Sequence, residues 1–97
     1  MRCVIPFDKT RGITVMQLEY YLRLPMNRFM TTGEIHEVSN MELGSVSRRL
    51  VDWVERGLVE RRGYTGTGVQ IRYEFRRLYN QITITANGIV FEVVKEG

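Results

Sequence analysis

At Gly57 the spacing of the apolar residues changes from a helical period to a strand period, and that change limits the chain to a mixed architecture. Upstream, Leu43, Val46, Leu50, Trp53 and Val54 gather on one side of a helix predicted from near Glu42 to Arg56. Gly57 supplies the left-handed residue that ends such a helix. Downstream, Leu58 to Arg62 reads as a short strand and residues 63–68 as a glycine-rich turn. Val69, Ile71, Tyr73 and Phe75 then alternate with Gln70, Arg72, Glu74 and Arg76, the pattern of a half-buried strand. A helix followed directly by a β-hairpin places the chain in the α+β class.

Two more helices precede this unit. Thr14 caps a helix predicted over Val15–Leu24, stopped by Pro25, with Val15, Leu18 and Leu22 on one face beside Tyr21. Tyr20 and Tyr21 are expected to serve core and interface. Thr31-Thr32-Gly33-Glu34 forms a capping box for a short helix at about 32–39, with Ile35 and Val38 inward and Ser39-Asn40 at its end. The first dozen residues read as a short strand or an arm, and Ile82–Thr85 as a strand. Residues 86–96 admit two readings. Asn87-Gly88 can turn the chain into a strand in which Ile89, Phe91 and Val93 alternate; alternatively Thr85 caps a helix with Ile89, Val90, Val93 and Val94 on one face. The β-branched content favours the strand, whereas the cap and Lys95 near the end favour the helix, which is the expectation adopted.

Several function classes are poorly served. Ninety-seven residues make one domain, and 43% hydrophobic with 26% charged residues argues against disorder. Cys3 is the only cysteine, which excludes an internal disulfide and a cysteine-rich metal site and suits a reducing compartment. No apolar run approaches the ~20 residues needed to span a bilayer, and no signal-peptide core is present, so a soluble cytoplasmic protein without membrane partners is expected. His36 is the only histidine, leaving no His-based metal site within one chain and no Ser-His-Asp triad; it is expected on the exposed side of its helix. Asp8, Glu19, Glu34 and Glu37 show no pairing suited to acid–base work, and the glycines of 63–68 lack the lysine of a phosphate-binding loop. Neither an enzyme nor a cofactor is expected.

The charge is concentrated. From Gly44 to Arg77 eight arginines (48, 49, 56, 61, 62, 72, 76 and 77) face four acids (52, 55, 60 and 74), a local excess of +4 in a chain of net +3. On the 42–56 helix, Gly44, Ser45, Arg48, Asp52 and Glu55 lie opposite the core face; Arg49 and Arg56 flank one side, Ser47 and Val51 the other. Small residues let a helix backbone approach a DNA groove, hydroxyls contact phosphates or bases, and arginine reaches guanine O6 and N7. A solvated helix has the same composition. The arginine-bearing hairpin that follows is what favours the nucleic-acid reading.

The stretch FMTTGEIHEVSNMELGSVSRRLVDWVERGLVERR, Phe29 to Arg62, resembles the winged helix-turn-helix of MarR-type and related small prokaryotic and phage transcriptional regulators. That family's recognition helix has the form S-x-V-S-R-x-L-x-x-L-x-x-x-G-L-V. Ser45, Val46, Ser47, Arg48, Gly57, Leu58 and Val59 occupy such positions, with Trp53 where an aliphatic residue is usual. Thr85-x-x-Gly88 after Ile84 is similar to the family's step from wing strand to C-terminal helix. The resemblance implies a single winged-helix domain over 1–97, with a helix-turn-helix at 29–57 and a wing hairpin at 58–77. It implies sequence-specific double-stranded DNA binding through Gly44, Ser45, Ser47, Arg48 and Arg49 on the recognition helix. Arg61, Arg62, Thr65, Thr67 and Arg72 would serve the wing, with Tyr64 at its tip as a phosphate contact or a packing residue. The segments before Val15 and after Gly88 are shorter than in full-length members, so long dimerisation helices are expected to be missing or replaced by something smaller, and no effector ligand is carried over.

A homodimer reading two half-sites is expected, built from the first helix and the chain ends. Val4, Ile5, Phe7, Tyr20, Phe91 and Val94 are the apolar surplus for it; the alternative is that they close one monomeric core. Two other functions are open. Asp52 and Glu55 on the exposed face suit a winged-helix protein–protein module, and a phage or plasmid replication or excision accessory would look the same in sequence.

Overall fold

The computed structural model describes residues 1–65, 68 and 71–95. Among them the elements are β1 (Arg2–Pro6), a 3-10 turn (Phe7–Lys9), α1 (Val15–Leu22), β2 (Met30–Thr31), α2 (Thr32–Ser39), α3 (Leu43–Glu55), β3 (Val59–Thr65), β4 (Ile71–Arg77), β5 (Gln81–Ile84) and β6 (Gly88–Glu92). They form three α-helices and two three-stranded antiparallel sheets, an α+β arrangement; the strand orders are β2-β4-β3 and β1-β6-β5.

Local chemistry sets the helix ends. The Thr14 hydroxyl accepts from the Gln17 N–H at 3.3 Å and starts α1. That helix stops at Leu22 rather than Leu24, because the N–H groups of Arg23 and Leu24 bond three residues back to Tyr20 and Tyr21. The capping box of α2 is present: Thr31 Oγ1 accepts from the Glu34 N–H while Glu34 Oε1 accepts from the Thr31 N–H at 3.1 Å. The Thr31 N–H and the Thr31 hydroxyl, which also donates to Glu34 Oε1 at 3.0 Å, hold the Glu34 carboxyl below its ordinary pKa. Asn40, in the left-handed region, closes α2. Gly57, at φ 77°, closes α3; its N–H bonds to Val54 O and the Leu58 N–H to Trp53 O, a Schellman motif.

One core joins both sheets to the helices. Ile35, Val46, Leu50 and Phe91 are fully excluded from solvent, and Tyr21 is buried in the same cluster. Its ring meets Trp53 and Phe91 edge-on at 5.6 and 5.5 Å. Its hydroxyl donates to Leu58 O at 2.7 Å and accepts from the Tyr79 N–H at 3.2 Å. Burial pushes this phenol far above its ordinary pKa, so it remains a neutral donor.

Several expected core positions are outside. Val15, Leu22, Val38 and Leu43 are exposed; Leu18 and Tyr21 turn inward on α1, and Ser39 rather than Val38 is buried on α2. On β4 only Phe75 is buried. Tyr73 and Ile71 are exposed because each residue advances the strand about 3.3 Å, and by then the hairpin has left the core. Val69, expected inward, lies outside the described residues. His36 is half-buried, with its Nδ1 2.8 Å from Met41 O.

The C-terminal helix expected from the Thr85 cap is corrected to a hairpin. The Thr85 hydroxyl donates to Gly88 O and accepts from the Asn87 N–H, so it closes a turn between β5 and β6. The β-branched residues that follow then pair as strand with β1, in register Ile5↔Ile89 and Cys3↔Phe91. Of the apolar surplus assigned to a dimer, Ile5 and Phe91 are in the core; Val4, Phe7 and Val94 stay exposed and Tyr20 is half-buried.

Gly88 tests this topology. A Cβ there would lie 2.3 Å from Ile5 O and 2.9 Å from Pro6 Cα, and its φ of 157° disfavours a side chain. Gly88→Ala must therefore displace β1, and about 2 kcal/mol of stability should be lost in urea unfolding. An unchanged midpoint would contradict the β1–β6 register.

Candidate nucleic-acid interface

Helix α3 divides into faces that follow from its core side. Val46, Leu50 and Trp53 point inward, leaving Gly44 and Arg48 outward and exposed. Ser47 and Val51 turn toward the β3–β4 hairpin, where both line a groove. Ser45 and Arg49 turn the opposite way, lining a smaller depression with Met16, Gln17 and Tyr20 of α1. No side chain caps α3 at Glu42. A Cβ added at Gly44 would meet nothing within 4 Å, so no internal packing requires that glycine.

The eight arginines of the basic stretch separate by what they touch. Arg56 is spent internally: it pairs with Asp52 at 3.0 Å and donates to the carbonyls of Lys9 and Arg11, fastening the N-terminal loop to α3. Arg49 reaches Gly12 O at 3.4 Å. Arg77 donates to Leu24 O at 2.8 Å and to Tyr79 O. On one face of the hairpin, Arg62 pairs across the strands with Glu74 at 3.1 Å, and Arg76 with Glu60 at 2.6 Å. Phe29 lies against both guanidiniums, 4.1 Å from Arg62 and 5.0 Å from Arg76. Arg62, expected as a wing contact, is thus part of a zipped, charge-balanced surface.

Arg48, Arg61 and Arg72 remain. Among the described residues Arg48 and Arg72 make no ion pair or hydrogen bond, and Arg61 only stacks on Tyr73, 4.4 Å from the ring centre. Arg61 and Arg72 line the groove with Ser47 and Val51; its other walls are Thr31, Thr32 and Gly33 at the start of α2, with Tyr64, Tyr73 and Phe75. The groove measures about 600 Å³. Its lining residues include two arginines, the hydroxyl-bearing Ser47, Thr32 and Tyr64, and the apolar Val51 and Phe75. Opposed strand residues share a face, so Arg61 lies on the Phe75 side of the hairpin and Arg72, opposite Tyr64, on the Arg62–Glu74 side. The two cations flank the hairpin, and guanidiniums without an acidic partner suit phosphate contacts.

Ser47, Arg61, Tyr64 and Arg72 all border the groove, Tyr64 and Arg72 from the other face of the hairpin, with Arg48 on the outward face of α3. It sets Ser45 and Arg49 on the far flank, and leaves Thr65 exposed at the end of β3. Thr67 lies outside the described residues. Thr32, Gly33 and Val51 are groove residues that the sequence reading did not select. The capping box located the start of α2, but only the β2–β4 pairing carries that start up to the hairpin.

Among the described residues no helix is long and apolar enough to cross a membrane, and no cluster of three or more metal-ligating side chains occurs. No family model, curated protein or solved structure matches the chain.

Proposed function

We propose that this chain is a winged helix-turn-helix domain that binds double-stranded DNA sequence-specifically, as a homodimeric cytoplasmic transcriptional regulator. The observation that carries the reading is the placement of Arg48, Arg61 and Arg72, the three basic-stretch arginines without ion pairs or hydrogen bonds among the described residues, on α3 and the hairpin beside it. The element order α1-β2-α2-α3-β3-β4, with β2 added to the hairpin through β4, supports the winged plan. In this reading α3 enters the major groove. Gly44 lets its backbone approach and Arg48 reads a base edge, while the 600 Å³ groove seats the flanking phosphodiester strand between α2 and the wing.

Of the two acids behind the interaction-module reading, Glu55 stays exposed on α3. Asp52, half of the acidic signal on the exposed face, is neutralised by Arg56 and belongs to the fastening of the N-terminal loop.

Selection from a random duplex library tests the proposal. A preferred site with two-fold symmetry is expected. Arg48→Ala is expected to cost about 1–3 kcal/mol on that site and to broaden the selected positions under α3. Recovery of no enriched sequence, or equal losses on preferred and random duplexes for Arg48→Ala, contradicts sequence-specific reading by α3.

A further inference from the structure

Among the described residues the sheet β1-β6-β5 has two unpaired edges, and they are built differently. The Thr85 N–H bonds to Gly88 O at 2.9 Å, and the Val93 N–H to Met1 O on the other side of β6. Strand alternation from these two bonds turns the N–H and C=O groups of Ile82 and Ile84 outward from β5, and those of Arg2, Val4 and Pro6 outward from β1. The β1 edge is blunted, since Pro6 has no N–H to offer and Arg2 places a charge there. The β5 edge has neither device. Residues 81–85, Gln-Ile-Thr-Ile-Thr, carry no charge and no proline.

We infer that the β5 edge docks β5 of a second copy, antiparallel about a two-fold axis through Thr83, to make a continuous six-stranded sheet. The inference rests on the homodimer reading above and gives that dimer its interface. About such an axis Ile82 of one copy lies opposite Ile84 of the other. The outward groups of both residues then complete four backbone hydrogen bonds. Ile84 is 63% exposed on the face where Ile82 packs against the core, and the partner's Ile82 would extend that packing over it. The edge is neutral, so two copies of net charge +3 meet there without opposing charges. A four-residue strand pair falls short of the roughly 800 Å² per partner of a standard interface, so the free dimer is weak. It tightens when one duplex holds two copies.

Cysteine crosslinking without DNA tests the edge, so failure leaves duplex binding standing as a separate question. Thr83 and its mate would face each other at a non-hydrogen-bonded pair, with Cα atoms about 4.5 Å apart, within disulfide range. In a Cys3→Ser background, Thr83→Cys is expected to give a covalent dimer as the main product under mild oxidation. Val4→Cys, equally placed on the outer face but on the β1 side, should give at least about tenfold less. Ile84→Pro removes one outward N–H and leaves the β5–β6 ladder whole; added to Thr83→Cys, it should abolish the crosslink while the melting curve remains cooperative. Ile84→Lys should do the same if the proline variant does not fold. Equal crosslinking at positions 83 and 4, no crosslink at 83, or a crosslink that survives the folded position-84 variant overturns the inference.

Discussion

Replacing Arg61 and Arg72 together by glutamate is expected to weaken duplex binding on the order of 100-fold or more while leaving the fold intact. Both residues line the groove, one from each face of the hairpin, and neither holds an ion pair among the described residues. The fold loses only the Arg61–Tyr73 stacking contact, a partly exposed one. On the DNA side two attractions become two repulsions, so the loss applies to every sequence and shrinks as salt rises. Fluorescence anisotropy with matched thermal melts separates the two effects. Binding at the parental level would move the interface away from the groove.

Phe91→Ala should produce the largest loss of stability, about 3–5 kcal/mol. Phe91 is fully buried, 5.5 Å from the Tyr21 ring and 6.2 Å from that of Tyr79, so it ties the β1-β6-β5 sheet to the helical core. For a chain of this size the melting temperature should fall by about 15–25 °C. A loss near 1 kcal/mol would mean that the terminal sheet is an appendage. The helices and the β3–β4 hairpin would then fold without it.

The parts legible in the sequence are those fixed by neighbours along the chain. The Thr31–Glu34 box and Gly57 each act over three to five residues, and both mark helix ends in the structure. The inward face of α3 was legible at Val46, Leu50 and Trp53, whereas Leu43 is exposed at its first residue. The tail was ambiguous for a physical reason: a threonine hydroxyl that can cap a helix can equally close a turn, and Thr85 does the latter. Gly88 decides between the two through its contact with Ile5, more than eighty residues away in sequence. The division of the arginines was hidden likewise. Arg62 and Arg72 look alike in a strand pattern, and only the register places Glu74 opposite Arg62.

Salt-dependent titration of a short duplex tests the central claim, that the surface around Arg48, Arg61 and Arg72 is a DNA interface. Each phosphate neutralised contributes about −0.9 to the slope of log affinity against log salt, so three arginines predict about −3 per bound chain and nearly twice that for a dimer. A slope of that size, reduced by about two per bound chain in the Arg61→Glu, Arg72→Glu variant, is the expected result. No duplex binding at about 50 mM salt, or an affinity indifferent to salt, would contradict it.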